Sequence, residues 1–177
     1  MANLLKEKML EAFRLLDQIL KQEVTLIMGG GGSMILAHGF HLGTADIDAI
    51  PKGIELNELD PLVKQIAKKL EIAPDWLNPY FSTFSHTLPL DYGDRLIEVF
   101  SGKKLKVLAL GKEEMLIMKC FAHRQKDIPH AKLLIKKSTD IKMVESHIEG
   151  LMKKRIPGAQ DALDFLDDVM ESVNEGT

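Results

Sequence analysis

One stretch constrains this chain more than any other: four consecutive glycines followed by Ser33, at residues 29–33. The apolar run 23–28 before them is rich in β-branched residues and predicts a buried strand. Residues 34–38 predict a short helix, which Ser33 caps and Gly39 ends. Backbone N–H groups without neighbouring side chains can approach phosphate oxygens closely, and the start of a helix favours negative charge. The stretch therefore predicts a phosphate-binding turn.

Two standard phosphate-binding motifs do not fit this turn. A dinucleotide-binding fingerprint that begins at Gly29 requires glycine at position 34, which is Met34. A P-loop requires a lysine directly after the glycines, and none follows them here. The glycines alone therefore do not identify the ligand.

A second motif, Asp46-Ile47-Asp48, opens a short alternating stretch that Pro51 and Gly53 close. On a strand, both carboxylates would point to one face, about 6.6–6.8 Å apart, while Ile47 points into the core. Two carboxylates repel by about 4 kcal/mol at 4 Å and an effective dielectric constant of 20, and a divalent cation reverses the sign of that interaction. Hard oxygen ligands with open coordination sites suit Mg²⁺ or Mn²⁺. The short link through Thr44 predicts that these carboxylates face the glycine turn.

In this order, Gly31-Gly32-Ser33, His38-Gly39 and Thr44-Ala45-Asp46-Ile47-Asp48 resemble the signature of bacterial AbiEii-like nucleotidyltransferases. These belong to the polymerase-beta-like nucleotidyltransferase superfamily and include toxins of toxin–antitoxin systems. The resemblance implies transfer of a nucleotidyl group from a nucleoside triphosphate to a hydroxyl on RNA, protein or a small molecule. It implies metal binding by Asp46 and Asp48, and nucleotide binding by Gly31, Gly32, Ser33 and Thr44.

The likeness extends to residues 114–127, which resemble the later lysine-containing and Lys-Asp motifs of that family. The resemblance implies that Lys119 and Asp127 support catalysis, and that Lys119, Arg124 and Lys126 contact the nucleotide. From the residues alone, Lys119 lies in an apolar helix, where its charge needs an anion that a triphosphate would supply. The alternative is a lysine whose stem packs on the core while its head reaches water. For Asp127 the alternative is a cap of the following helix.

Three positions depart from the family pattern. Relatives commonly carry basic residues where this chain has Leu42 and Ala45, and an acidic residue where it has His130. Fewer positive groups near the phosphates would weaken triphosphate binding or shift its specificity. The departures favour an alternative function, a weak or inactive nucleotidyltransferase fold that acts as a nucleotide- or protein-binding module, such as one partner of a toxin–antitoxin pair.

A third metal-binding carboxylate is expected from a strand adjacent to the aspartates. Residues 95–100 read as a strand on which Glu98 points away from Ile97 and Val99, and this makes Glu98 the candidate for both metal binding and catalysis. Asp94 shares that parity and is the alternative. An exposed strand carboxylate without a catalytic role explains Glu98 equally well.

The remaining pattern predicts an α/β (α+β) fold, with a small mixed nucleotidyltransferase-type sheet flanked by helices and a helical C-terminal part. We expect a core at 1–110 and a helical region at 111–177, packed as a single compact unit. The loop-rich stretch 74–89 carries several prolines and aromatic residues. Further elements are expected at 4–20, 55–70, 113–123 and 140–151 and after Pro129 and Pro157 (helices), and at 105–110 (strand).

Composition limits the function classes. The net charge of -3 gives no overall attraction to nucleic acid, so no DNA partner is expected, and an RNA partner would need a local lysine patch. No apolar run approaches the roughly 20 residues that span a bilayer. The N-terminus reads as a helix rather than a signal peptide, and Cys120 is alone, so no internal disulfide forms. These features predict a cytoplasmic protein without a membrane partner.

Overall fold

The computed structural model describes residues 4–79, 85–137 and 139–175. Within them, five strands form one mixed sheet in the order β3-β2-β1-β5-β4. The strands are β1 (Val24–Met28), β2 (Ile47–Lys52), β3 (Leu77–Asn78), β4 (Ile97–Ser101) and β5 (Leu105–Ala109).

The strand directions bring the two sequence motifs to one edge of the sheet. β1 runs parallel to β5 and antiparallel to β2, with Met28 opposite Ala49. Because β1 ends where β2 begins, the glycine turn after β1 and the aspartates at the start of β2 lie at the same edge. β3 pairs parallel to the first two residues of β2, and β4 pairs antiparallel to β5.

Three helices belong with the sheet: α1 (Lys6–Ile19), α2 (Gly30–Leu36) and α3 (Leu56–Leu70). Apolar residues at helical spacing on α1 and α3 pack against one face of the sheet and form its core. At the centre, the ring of Phe13 lies 6.3 Å from that of Trp76 and 5.8 Å from that of Phe100. Of the aromatic residues in the loop-rich stretch, Trp76 is fully buried in this core, while Tyr80 and Phe81 lie outside the described residues.

The described residues group by contacts into two compact units. The sheet unit comprises residues 4–79 and 96–110, and the helical unit comprises residues 85–95 and 111–175 apart from 138. The helical unit contains α4 (Lys112–Ala122), α5 (Ile128–Lys136), α6 (Ile141–Lys153) and α7 (Ala159–Asn174). Asp140 caps α6 by accepting a hydrogen bond from the Met143 N–H at 3.0 Å. None of the described helices is long and apolar enough to cross a bilayer.

The structure confirms the predicted fold class, a mixed sheet with flanking helices and a helical C-terminal part, and corrects several elements. Pro51 lies within β2 rather than ending it, at a position beyond the two residues that pair with β3. The loop-rich stretch contains the short strand β3, which the sequence did not predict. Asp94 and Arg95 lie in a 3₁₀ turn, Tyr92–Arg95, and not on the strand predicted for 95–100.

Candidate active site

The two aspartates flank a fully buried isoleucine, as the alternating pattern predicts. Ile47 has no exposed surface, whereas Asp46 and Asp48 are half-buried. Asp46 immediately precedes β2, and Asp48 is its second residue. Since successive side chains on a strand alternate between faces, both carboxylates leave the core together.

Gly30 lies directly against Asp48. The Gly29 N–H donates a hydrogen bond to the Asp48 carbonyl at 2.9 Å, which joins the turn to β2. A Cβ atom on Gly30 would lie 2.0 Å from Asp48 Oδ2 and 2.9 Å from its Cγ. Gly30 also has φ of +61°, a left-handed conformation that side chains disfavour. Only glycine at this position leaves room for the Asp48 carboxylate.

Gly31 lies directly against the Thr44 side chain, as Gly30 does against Asp48. A Cβ atom on Gly31 would lie 2.5 Å from Thr44 Oγ1 and 3.0 Å from its Cβ. Thr44 is fixed by two backbone hydrogen bonds with Leu4, of 2.7 and 3.1 Å. On Gly32 the nearest atom would be Met28 Sδ at 3.4 Å, an ordinary contact distance. Two of the glycines therefore accommodate the side chains of Thr44 and Asp48, and we call this cluster the glycine corner: Gly30, Gly31, Thr44 and Asp48.

Ser33 does not cap the short helix. α2 begins at Gly30 with Gly29 at its N-cap position, so Ser33 lies inside the helix. The cap prediction was wrong because the helix begins three residues before Ser33, at Gly30. The Ser33 side chain is fully buried, and its hydroxyl oxygen has no hydrogen-bond partner within the described part of the chain. Its backbone carbonyl accepts from the Ala37 N–H, and the helix ends before Gly39, whose positive φ of +69° matches the predicted stop.

The histidines near the turn have separate environments. His38 is buried, and its Nε2 lies 2.9 Å from the Leu110 carbonyl oxygen at the end of β5. His41 is exposed. His38 therefore links α2 to the sheet edge, and its contact gives no indication of a ligand role.

Asn78 is a site residue that the sequence did not reveal. Its Nδ2 donates a hydrogen bond to Asp46 Oδ2 at 3.3 Å, and its backbone pairs with Asp48 across β2 and β3. The signal was absent because a two-residue strand between prolines carries no alternation to detect. An amide, and not a carboxylate, therefore occupies the strand next to the aspartates.

The expectation that Glu98 lies on a strand adjacent to the aspartates is wrong. β4 is an edge strand, and β5 and β1 lie between it and β2. Three strand spacings of about 4.8 Å place β4 roughly 14 Å from β2, well beyond the reach of one cation with ligands at about 2.1 Å. Glu98 is half-exposed and pairs with Lys106 at 3.5 Å. Asp94 is exposed in the 3₁₀ turn of the helical unit.

Lys119 has its anion inside the helical unit. Its Nζ lies 2.6 Å from Asp127 Oδ1, and its side chain is only 5% exposed, so the alternative in which its head reaches water is wrong. The Arg124 guanidinium donates to the other oxygen of Asp127 at 2.6 Å, while Lys126 is exposed. Asp127 occupies the N-cap position of α5, but its side chain accepts no capping hydrogen bond, because it is engaged by the two cations.

The pKa of Asp127 follows from these contacts. Burial alone would raise the pKa of this carboxyl group. Hydrogen bonds from His130 and Arg124, together with the charge of Lys119, outweigh burial and hold the pKa of Asp127 well below its ordinary value. Asp127 is therefore a stable carboxylate, and its single negative charge compensates one of the two positive charges beside it.

A family model described as "Nucleotidyltransferase of unknown function (DUF6036)" matches residues 7–170, nearly the whole chain. The chain belongs to this nucleotidyltransferase family. Neither a curated protein nor a solved structure matches it. The match confirms the predicted enzyme class, while the narrower likeness to AbiEii-like enzymes stays a prediction.

The site of this nucleotidyltransferase offers a donor set that suits a hard divalent cation. Asp46 and Asp48 supply carboxylate oxygens on one side of β2, and Asn78 adds an amide beside them. No cluster of three or more His, Cys, Asp or Glu side chains that could hold a metal occurs among the residues that the structure describes. Two carboxylates are nevertheless compatible with Mg²⁺. In proteins this cation is commonly held by one or two carboxylates, and substrate phosphates and water fill its other coordination positions.

Proposed function

We propose that this nucleotidyltransferase transfers a nucleotidyl group from a nucleoside triphosphate to a hydroxyl acceptor, with Mg²⁺ or Mn²⁺ held by Asp46 and Asp48. The observation that carries the proposal is the glycine corner. Gly30 lies against the Asp48 carboxylate, so the proposed metal ligand and the bare backbone of the turn form one wall. The family match supplies the reaction class.

The roles of the chain's own groups follow from this arrangement. N–H groups in the first turn of a helix have no intrahelical acceptor, and those of Gly31 and Gly32 are proposed to donate to phosphate oxygens. The hydroxyl of Thr44 lies at the same corner and can donate as well. A bound divalent cation would neutralise charge on the reacting phosphate and help to align the attacking hydroxyl. The wall formed by β2 and the turn would hold the triphosphate in position for in-line attack.

We assign the cluster of Lys119, Arg124 and Asp127 to the stability of the helical unit and do not assign it to the triphosphate. The buried Lys119 ammonium needs no phosphate as its anion, because the Asp127 carboxylate lies 2.6 Å from its Nζ. Lys126 is exposed and has no part in the cluster.

The acceptor is proposed from the resemblance to AbiEii-like enzymes. That resemblance supports RNA or protein as the acceptor, and a toxin-like role with an antitoxin-like protein partner. Incubation with each α-labelled triphosphate, Mg²⁺ and a cell extract would show whether label is transferred to RNA or to protein.

The decisive experiment compares charge-neutralising variants at the site with a variant of a distant strand carboxylate. Asp46→Asn and Asp48→Asn keep side-chain size and should each reduce label transfer by at least about 100-fold, the cost of a lost electrostatic contact in catalysis. Glu98→Gln is the matched control, since it also removes one strand carboxylate, and it should keep transfer within about two-fold. Unchanged transfer in the two aspartate variants would rule the assignment out. Loss of transfer in Glu98→Gln at unchanged melting temperature would return Glu98 to the site.

One observation favours the second candidate function, a nucleotide- or protein-binding module. Leu42 is 67% exposed at the position where relatives commonly carry a basic residue, and Ala45 is also exposed. An exposed apolar side chain contributes nothing to binding phosphate and suits contact with a protein. Triphosphate binding that depends on Asp48, without transfer to any acceptor in a cell extract, would support this candidate.

A further inference from the structure

The location of Asn78 is set by a buried residue of the sheet unit, Trp76. The Trp76 carbonyl accepts a hydrogen bond from the Ile47 N–H at 2.7 Å, which fixes the register of β3 against β2. The Trp76 side chain is fully buried, and its indole N–H donates to the Val63 carbonyl on α3 at 3.0 Å. Asn78, two residues later, is therefore placed beside Asp46 and Asp48 by core packing and not by a free loop.

The contact between Asn78 and Asp46 has only one chemically sensible orientation. An ionised carboxylate accepts hydrogen bonds and cannot donate, so the amide nitrogen of Asn78 must face Asp46 Oδ2. Within the described part of the chain, no salt bridge joins Asp46 to a lysine or arginine, so a neutral donor restrains its carboxylate. Such a donor limits side-chain rotation without neutralising the charge that a cation requires.

We infer that Asn78 is a positioning residue of the nucleotidyltransferase site, which orients Asp46 for cation binding from the strand where a third carboxylate was expected. The inference rests on the proposed function for its cation. The strand beside the aspartates therefore supplies a donor that orients a ligand, and not the third carboxylate ligand that was expected there.

The test measures cation binding directly, without turnover. Mn²⁺ titration by calorimetry or electron paramagnetic resonance gives the dissociation constant of the wild type and of Asn78→Ala. Loss of an outer-shell partner costs on the order of ten-fold in metal affinity, and we expect a weakening of that size. The same variant should lower kcat for label transfer while the KM for the triphosphate changes little. Asn57→Ala, an exposed position on α3, is the matched control and should bind Mn²⁺ as the wild type does.

A second variant keeps the test valid if Asn78→Ala folds poorly. Asn78→Leu keeps a similar side-chain volume but removes the N–H donor, so we expect the same loss of Mn²⁺ affinity, on the order of ten-fold. Melting temperatures without metal show whether each variant is folded. Mn²⁺ affinity equal to the wild type in either folded variant would overturn the positioning role.

The two proposals fail in different ways. If the wild type binds no Mn²⁺, or binds it equally well in Asp46→Asn and Asp48→Asn, the proposed function fails. If wild-type binding depends on both aspartates but is unaffected in the folded Asn78 variants, the proposed function stands and only the positioning role is lost.

Discussion

The glycine corner predicts that alanine damages the site at Gly30 and Gly31 but is tolerated at the adjacent Gly32. In Gly30→Ala the new Cβ would lie 2.0 Å from Asp48 Oδ2 and 3.2 Å from Asp48 Cβ. Rotation about χ1 moves the oxygen but not the Cβ, so the carboxylate is displaced and the backbone must also yield. The left-handed φ of +61° adds about 1–2 kcal/mol for alanine.

These magnitudes translate into measurable changes. For a chain of this size, 1–2 kcal/mol lowers the melting temperature by about 2–8 °C. Displacement of a catalytic group by about 1 Å can cost 100-fold in rate, so Gly30→Ala should lose transfer activity far beyond its loss of stability. Gly31→Ala should show a similar loss of activity with a smaller loss of stability, because its φ is not positive and the clash is with Thr44. Gly32→Ala should be tolerated, since the nearest atom is a flexible thioether at 3.4 Å.

The assay pairs melting curves with label transfer from an α-labelled triphosphate. Gly150→Ala on α6 is the control, because a Cβ there meets nothing within 4 Å and should raise stability by up to about 1 kcal/mol. Wild-type activity in Gly30→Ala would refute the reasoning. Equal damage in Gly30→Ala and Gly32→Ala would also refute it, since that result would mean that all glycines serve phosphate approach alike.

Two further predictions concern the buried pair of the helical unit. Asp127→Asn should lower the free energy of unfolding by about 3–5 kcal/mol in urea denaturation, because it leaves the buried Lys119 ammonium without its carboxylate. Lys119→Met should cost less, because Arg124 still pairs with Asp127 at 2.6 Å, and the double variant should cost less than the sum of the two. The pKa of Asp127 is lowered in the folded state, so its stabilisation is present above the unfolded pKa and is lost as pH falls through the folded pKa. Wild-type stability should therefore drop below about pH 5, and Asp127→Asn should show a weaker drop; identical pH profiles would contradict this.

Local patterns predicted the parts of the site that depend on neighbours in sequence. The alternation around Ile47 placed both aspartates on one face, and the abrupt end of an apolar run at Gly29 placed the turn after β1. These predictions needed only the two-residue period of a strand and the conformational freedom of glycine. The same information could not show that Ser33 lies inside a helix whose first turn is made of glycine.

The rest of the site depends on contacts that no local pattern encodes. The alternation in residues 95–100 predicts a strand that carries Glu98. It does not predict that β5 and β1 lie between that strand and β2, because strand order in a sheet is a long-range property. No local pattern predicts β3 or Asn78, because strand propensity does not hold β3 in place. Trp76 holds it, through its contact with α3. The local sequence predicts a phosphate as the anion of Lys119. It does not show that Asp127, eight residues later, reaches Lys119 across the turn that follows α4.

The glycine corner also explains why the glycines and the Thr-x-x-x-Asp spacing occur together. A phosphate-binding turn alone would need bare backbone but would place no demand on residues 44 and 48. The space that Cβ atoms would take at Gly30 and Gly31 is instead filled by the side chains of Asp48 and Thr44, so a side chain at either glycine would displace its neighbour. In the proposed reaction, this packing fixes the distance between the cation's ligand and the backbone that receives the phosphates. The two motifs are therefore one packed structure, and positioning of the reacting groups follows from steric fit before any ligand binds.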